Sequence, residues 1–132
     1  FVEPGDFLLT NSMSFGKPFI MKTSGCIHDG WLLIRYDKKI LKQDYLYYLL
    51  SSTYVYSSFK ASTQGAVVQN LNIDKVKTTI IPIPPFEEQN EIIKKIESLM
   101  QKCKLLEEEI KISEANAEML MQSVLKESFN NQ

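Results

Sequence analysis

The feature that most constrains this fold is the stretch after Pro85, which contains neither glycine nor proline. Pro85 suits the first position of a helix, and Glu87 and Glu88 suit the positive end of the helix dipole. From there to about Phe129 no residue interrupts a helix. About 45 residues at 1.5 Å each span roughly 65–70 Å. Because a helix this long is not stable alone in water, it needs packing partners.

An apolar seam runs along this predicted helix, with spacings that alternate between four and three residues. Its members are Ile92, Ile96, Leu99, Cys103, Leu106, Ile110, Ser113, Ala117, Leu120 and Val124. Ser113 is polar and Ala117 is small, so two backbones can approach closely at this point. Leu105, Ile112 and Met119 repeat every seven residues beside the seam and widen it. The heptad pattern predicts a coiled coil.

The partner of this coiled coil is predicted to lie outside the segment before the helix. A head of about 85 residues is only about 25 Å across, so it cannot cover the whole helix. We therefore expect a homodimer through the seam, or pairing with a pseudo-repeat of the same protein. The alternative is an amphipathic helix that packs on its own head. The seam fits parallel and antiparallel pairing equally well.

The composition changes sharply at residues 81–85. All five glycines precede this segment, and three of its positions are proline. Because proline can continue neither a strand ladder nor a helix interior, we place a boundary here. The predicted domains are 1–85, part of a mixed α/β domain, and 86–130, one long C-terminal coiled-coil helix. The predicted class is α+β.

The head is predicted to contain short strands and short helices. Strands are expected at 7–10, 19–21, 31–36 and 78–81, where apolar and β-branched residues are bounded by turn signals. A helix is expected to begin at the cap residue Asp44, and a second to run from about 54 to 62. Residues 72–77 are expected to form one helical turn, capped by Asn72 or Asp74.

Charge and cysteine content narrow the function classes. Residues 1–85 carry nine Lys/Arg and six Asp/Glu, whereas residues 86–132 carry six Lys and ten Glu. The basic head is compatible with a polyanion, although two solvated surfaces explain the charge equally well. Cys26 and Cys103 lie too far apart in sequence for a metal-ligand pair and form no disulfide framework, so we expect a reducing cytoplasm and no zinc site. We also expect no transmembrane helix and no secretory leader, and the start at Phe1 indicates a piece of a longer chain.

No pattern in the sequence predicts catalysis. Residues 83–86 are similar to the Asn/Asp-Pro-Pro-Tyr/Phe motif of amino methyltransferases, but Ile83 cannot accept a hydrogen bond from a target amino group. His28 and Asp29 are adjacent, so on a strand they would point to opposite faces and form no relay. A hydrogen-bonded histidine near a turn is the preferred interpretation. Gly16-Lys17 lacks the other residues of a phosphate-binding loop. We therefore predict that the chain is not an enzyme.

Three polar segments are candidates for recognition instead. They combine amide, hydroxyl and ammonium groups, which contact adenine edges, guanine and phosphates. The candidate DNA-binding residues are Asn11, Ser12, Ser14, Lys17, Lys60, Gln64, Asn70 and Asn72. On composition alone, ordinary polar loops remain the alternative.

An ordered set of segments resembles the DNA-specificity (S) subunit of type I restriction-modification systems. The head segments are GDFLLT (5–10), SFGKP (14–18), IHDGW (27–31), YLYYLLS (45–51), Gly65 and NLN (70–72). The most specific segment is IPIPPFEEQ (81–89), followed by Ile92-Ile93 and the long helix. The resemblance covers nearly the whole chain.

This resemblance implies a non-catalytic subunit that reads one half of a bipartite DNA site. It implies docking to modification subunits, which methylate adenine at N6, and to restriction subunits. S-adenosylmethionine, ATP and Mg would belong to those subunits, and this chain would hold no cofactor. The chain departs from the family in length, since it has one partial recognition domain and one spacer helix. The alternative function is a coiled-coil assembly protein or a degenerate recognition cassette that does not bind DNA.

Overall fold

The computed structural model describes residues 1–12, 16–62 and 70–130. Its elements are β1 (Phe7–Thr10), β2 (Pro18–Ile20), β3 (Trp31–Ile34), α1 (Gln43–Leu50), α2 (Thr53–Ser62), α3 (Ile73–Lys77) and α4 (Phe86–Asn130). The class is α+β, as the sequence predicted. In the described parts of the chain, no helix is both long and apolar enough to span a membrane. The chain divides into two compact units, Phe1–Ile93 and Lys94–Gln132, which are described separately below.

The sheet of the first unit is antiparallel, with β1 between β2 and β3. Leu8 lies opposite Phe19 of β2 and Leu33 of β3, and Thr10 lies opposite Trp31. Because opposed residues share a face and neighbours along a strand alternate, these five side chains lie on one face of the sheet. We call it the outer face.

The other face of the sheet carries the core. Phe7 and Leu9 of β1 are fully buried there with the apolar residues of the helices. The remaining buried members of this core are Leu41, Tyr45, Leu46, Leu50, Val55, Phe59 and Leu71. Their spacing in α1 and α2 is helical, which explains why these segments form helices that pack on the sheet. Burying one such side chain stabilises the fold by about 1.5–3 kcal/mol.

The segment between α3 and α4 is held by side-chain hydrogen bonds and not by a strand ladder. The hydroxyl groups of Tyr45 and Tyr54 donate to the carbonyl oxygens of Pro82 and Ile80, at 3.1 and 3.3 Å. The strand predicted at 78–81 is therefore wrong, because proline removes ladder donors next to it and tyrosine hydroxyls take the carbonyl groups. Burial raises the pKa of the Tyr45 hydroxyl above its ordinary value, and the negative charge of Glu88 raises it further.

The buried amide of Gln89 fastens the first turn of α4 to this unit. Its Oε1 accepts from the backbone N–H of Lys42, and its Nε2 donates to the carbonyl oxygens of Ile40 and Pro84, each at 2.9 Å. The side chain is fully buried. Ile92 and Ile93 follow on α4 and pack against the core. The division between the two units therefore falls inside the helix, at Ile93.

Several predicted element boundaries differ from the structure. The first head helix begins at Gln43, with Lys42 as its N-cap, so Asp44 lies in the first turn and is not the cap. Pro85 precedes α4, and its carbonyl accepts from the backbone N–H of Gln89 at 3.0 Å, so it is not the first helical residue. The strand predicted at 31–36 ends at Ile34. Asn72 does cap α3, as one of its two predicted caps.

The second unit consists of α4 from Lys94 onward. Ile96 is half-buried, and residues 97–129 are exposed. The exposed set includes the seam residues Leu99, Cys103, Leu106, Ile110, Ala117, Leu120 and Val124. Ile92, the first seam residue, belongs to the first unit, where it packs against the core.

Candidate nucleic-acid interface

The loop after β1 is closed at its base by hydrogen bonds between Thr10 and residues 16 and 17. The Lys17 backbone N–H donates to Thr10 Oγ1 at 3.0 Å, and the Thr10 backbone N–H donates to the Lys17 carbonyl at 3.2 Å. The Gly16 N–H donates to the Thr10 carbonyl at 2.9 Å. These bonds fix the two ends of the loop, and the Lys17 side chain is exposed where β2 begins.

Asn11 connects this loop to two distant segments. Its side-chain Nδ2 donates to the carbonyl of Asp29 at 2.7 Å, and its backbone N–H donates to the carbonyl of Gly30 at 3.3 Å. Its own carbonyl accepts from the backbone N–H of Leu71 at 2.8 Å. Asn11 therefore joins the turn before β3 and the segment before α3.

The C-terminal end of α2 reaches the same place through Gly16. Gly16 has a φ angle of +71° and is buried, and a Cβ atom added to it would lie 3.0 Å from Cδ2 of Phe59. Phe59 and Leu71 are both members of the core. The described residues 11–12 and 16–17, the end of α2 and the segment 70–72 are thus neighbours, although Asn11 and Asn72 are 61 positions apart in sequence.

The structure brings six of the eight predicted DNA-binding residues to these three segments. Lys17, Lys60, Asn70 and Asn72 are exposed, and Asn11 and Ser12 are half-buried. Ser14 and Gln64 lie outside the described residues. Of the exposed residues, Lys17 extends from the start of β2 and Lys60 from the last turn of α2.

Three of the predicted residues form hydrogen bonds within the fold itself. The Asn72 side-chain oxygen accepts from the backbone N–H of Lys75 at 3.0 Å and so caps α3. The Asn11 side-chain amide nitrogen donates to the carbonyl of Asp29. Asn70 contributes its backbone carbonyl to the Lys75 ammonium group at 3.1 Å. Each of these bonds orders a polar segment.

His28 lies in the turn before β3, beside the tryptophan that begins that strand. Its Nδ1 accepts from the backbone N–H of Gly30 at 2.9 Å, and its Nε2 lies 3.2 Å from Nε1 of Trp31. The predicted hydrogen-bonded histidine near a turn is confirmed. Asp29 Oδ1 lies 3.7 Å from His28 Nδ1, and both side chains are exposed.

Sequence reasoning missed the aromatic side chains of the outer face. Trp31 is half-buried and Phe19 is 47% exposed, and their ring centroids are 5.5 Å apart at an interplanar angle of 83°. The alternation within each strand is a signal that shows which of its own side chains share a face, as Leu8 and Thr10 do in β1. Without the register between strands, however, that signal does not bring the two rings together.

The opposite end of the sheet carries an ion pair. The Arg35 guanidinium donates to both carboxylate oxygens of Asp6, with Nη2–Oδ2 and Nε–Oδ1 distances of 3.0 and 3.1 Å. These bonds hold the pKa of Asp6 below its ordinary value. Among the described residues, no group of three or more His, Cys, Asp or Glu side chains is placed to hold a metal ion.

Comparison with known proteins places the chain among specificity domains. The family model described as type I restriction modification DNA specificity domain matches residues 2–114. The chain is similar to the type I restriction enzyme EcoBI specificity subunit of Escherichia coli, with 25% identity over 130 residues. The alignment covers 97% of this chain and 27% of that subunit.

Two solved structures are similar in fold over more than nine-tenths of the chain. The crystal structure of the HsdS subunit from Thermoanaerobacter tengcongensis matches with a TM-score of 0.77 and 24% identity, over 92% of this chain and 32% of that one. A structure reported for complex assembly and conformational transition of the type I R-M system matches with a TM-score of 0.71 and 25% identity. This match covers 95% of this chain and 30% of the chain in that structure. The chain thus spans between 27% and 32% of the length of these relatives.

Proposed function

The chain belongs to the type I restriction modification DNA specificity domain family, and from this premise we propose that its head reads one half of a bipartite DNA site. The observation that carries the proposal is the meeting of three polar segments: the Asn11 carbonyl accepts from Leu71 N–H, and Gly16 lies against Phe59 near the end of α2. Exposed Lys17 and Lys60 lie on two of these segments. Cations next to amide and hydroxyl groups provide phosphate contacts and base contacts on one surface.

We assign distinct roles to the eight predicted DNA-binding residues. Lys17 and Lys60 contact phosphates, which are the same in every sequence. The amide and hydroxyl residues of the same segments, including Ser14 and Gln64, contact base edges or order the loops that do so. No step of this function requires a cofactor held by this chain. S-adenosylmethionine, ATP and Mg serve the modification and restriction subunits of the complex.

The test begins with selection of bound duplexes from a pool with randomised cores, by the protein together with its host's modification subunits. Lys17→Ala should weaken binding to all duplexes. It should also reduce the slope of the logarithm of affinity against the logarithm of salt concentration by about one. Asn11→Ala and Gln64→Ala should change which sequences are selected. Lys39→Ala is the control, because Lys39 is exposed in the turn after β3, at the opposite end of the sheet. If the Lys17, Asn11 and Gln64 variants bind the selected duplex with the same affinity as the parent protein, these roles are refuted.

We propose that the chain has two domains, the recognition domain 1–85 and the spacer helix 86–130. The spacer helix, which is α4, forms the contacts through which the complex assembles. Its exposed seam offers apolar area that a partner helix would remove from water, at about 25 cal/mol per Å². A second copy of this chain occupies the seam in our proposal. The outward faces of the helix then dock the modification and restriction subunits in the cytoplasm.

The seam is compatible with the antiparallel pairing of two copies that we propose, because reversing it about Glu108 superposes it on itself. This reversal pairs Leu106 with Ile110, Cys103 with Ser113 and Leu99 with Ala117, so one large residue meets one small residue in the third layer. The family's pseudo-twofold arrangement is also antiparallel. In this register the two Cys103 residues are separated by ten positions, or about 15 Å along the axis.

Disulfide crosslinking distinguishes the two orientations. The Cys26→Ser variant should form no covalent dimer under mild oxidation, since Cys103 faces Ser113 of the other copy. Adding Ser113→Cys should produce one, because thiols in one layer come within bonding reach. A covalent dimer of Cys26→Ser alone would show parallel pairing. A monomeric mass by light scattering, unchanged by modification subunits, would contradict the assembly proposal.

A further inference from the structure

The outer face of the sheet carries an aromatic pair that the polar segments do not explain. Phe19 and Trp31 lie on this face by register, with Leu8 between their strands. Their rings meet edge to face at 5.5 Å. Apolar side chains on the edge strands of a small sheet are ordinarily turned inward or replaced by polar residues. Here Phe19 stays 47% exposed, so this surface is available to a ligand.

The aromatic pair adjoins the proposed DNA interface. Thr10, which closes the base of the loop 11–17, lies opposite Trp31 in the ladder. Lys17 is two residues before Phe19 on the same edge of the sheet and is exposed. The Asn11 amide holds the turn that leads into Trp31 through the Asp29 carbonyl. A single ligand can therefore meet a cation, the polar loop and the two rings together.

The hydrogen bonds of His28 leave a donor for that ligand. Both of its ring nitrogens face N–H groups, from the Gly30 backbone at 2.9 Å and from the Trp31 indole at 3.2 Å. A neutral imidazole has one acceptor nitrogen, and a protonated one has none. His28 therefore satisfies at most one of the two donors. The N–H of Gly30 or the indole N–H of Trp31 therefore lacks His28 as its acceptor and needs another one.

We propose that Phe19 and Trp31 form the apolar part of the DNA interface and recognise thymine through its methyl group in the major groove. This inference rests on the proposed DNA-reading function. Aromatic side chains contact the thymine methyl group, and the indole N–H beside them suits the acceptors of neighbouring bases or phosphates. The rings thus add specificity for A·T pairs, which the cations on this surface cannot provide.

The experiment compares thymine with deoxyuridine, which lacks only the methyl group. Duplexes selected from the randomised pool are bound by the protein with its host's modification subunits, and each thymine is replaced in turn. Replacement of at least one thymine should weaken binding roughly fourfold, the effect of one buried methyl group. The Phe19→Thr variant should bind the thymine and deoxyuridine duplexes with similar affinity at that position. Ile40→Thr is the matched control, since Ile40 is exposed at the opposite end of the sheet.

Trp31 provides a second readout, because it is the only tryptophan of the chain. The fluorescence of the protein without other subunits should change on addition of the selected duplex and less on addition of its deoxyuridine form. Three results would each overturn the inference and leave DNA reading intact. Binding could be unaffected by replacing thymine with deoxyuridine, the Phe19→Thr variant could lose as much affinity on this replacement as its parent does, or the selected site could contain no thymine. If no duplex is enriched and labelled DNA shows no binding, the proposed function itself fails, and this inference with it.

Discussion

Substitution of Gln89 should destabilise the first unit more than any exposed change in the same helical turn. Gln89→Ala removes three hydrogen bonds of 2.9 Å and leaves the Lys42 N–H and the Ile40 and Pro84 carbonyls without their partner. Each bond contributes about 0.5–1.5 kcal/mol, and the emptied space adds a cavity term. The expected loss is about 3–5 kcal/mol, which is a large part of the stability of a small domain.

The isosteric variant Gln89→Glu separates hydrogen bonding from packing. A glutamate retains the acceptor for Lys42 N–H, but its second oxygen faces two carbonyl oxygens that need donors. The buried carboxyl group should therefore have its pKa raised above about 4.3, the value in the unfolded chain. A raised pKa means that the stability is present at low pH and is lost as pH rises through the folded value. The variant should regain stability on acidification.

Urea and thermal unfolding of the parent, the two Gln89 variants and Glu87→Gln measure these differences. Glu87 is exposed two residues earlier in the helix, so its change should have little effect. The transition of Gln89→Ala should fall by more than about 10 °C, at about 4–8 °C per kcal/mol. A fall below about 3 °C, or a Gln89→Glu deficit that does not change with pH, would refute the reasoning.

Three further predictions concern the head. Gly16→Ala should cost about 1–3 kcal/mol in urea unfolding because of its positive φ and the ring 3.0 Å from the added Cβ. Gly25→Ala should cost much less, because no atom of a described residue other than its chain neighbours lies within 4 Å of a Cβ added there. Asn72→Ala should lower stability by about 1 kcal/mol through loss of the α3 cap, measured by thermal melting. The ion pair with Arg35 lowers the pKa of Asp6, so its contribution is complete above pH 3.8 and is lost as pH falls through the folded value. Acid titration of unfolding should show this loss in the parent and not in Asp6→Asn.

Local patterns were sufficient for the elements that an unbroken run of one residue pattern marks. The uninterrupted stretch after Pro85 forms α4, and the apolar run at 7–10 forms β1 within the predicted bounds. The incorrect strand at 78–81 has another cause. Its β-branched residues favour a strand, but the carbonyl of Ile80 is bonded by the hydroxyl of Tyr54, which lies 26 residues earlier. No periodicity of the segment itself indicates such a distant partner.

The same distinction applies to the candidate site. Composition identified the polar segments, and the structure brings their described parts together through Asn11 and Gly16. Asn72 was predicted both as a DNA-binding residue, from composition, and as one of two possible caps of α3, from its position before a helical turn. In the structure its side chain caps α3. Gln89 was missed because its bonds join it to residues almost 50 positions earlier.

The hydrogen bonds divide the site into groups that order the loops and groups that face outward. A polar side chain bonded to backbone contributes to recognition by fixing a loop, and its substitution changes several contacts together. Asn11 is of this kind, because its amide and its backbone join three segments. At Lys17 the bonds that hold the loop come from the backbone, and the side chains of Lys17 and Phe19 are exposed, so their substitution should remove a contact and leave the surface in place. Sequence preference that depends on Asn11 should therefore change at several base pairs, whereas preference that depends on Phe19 should change at one or two.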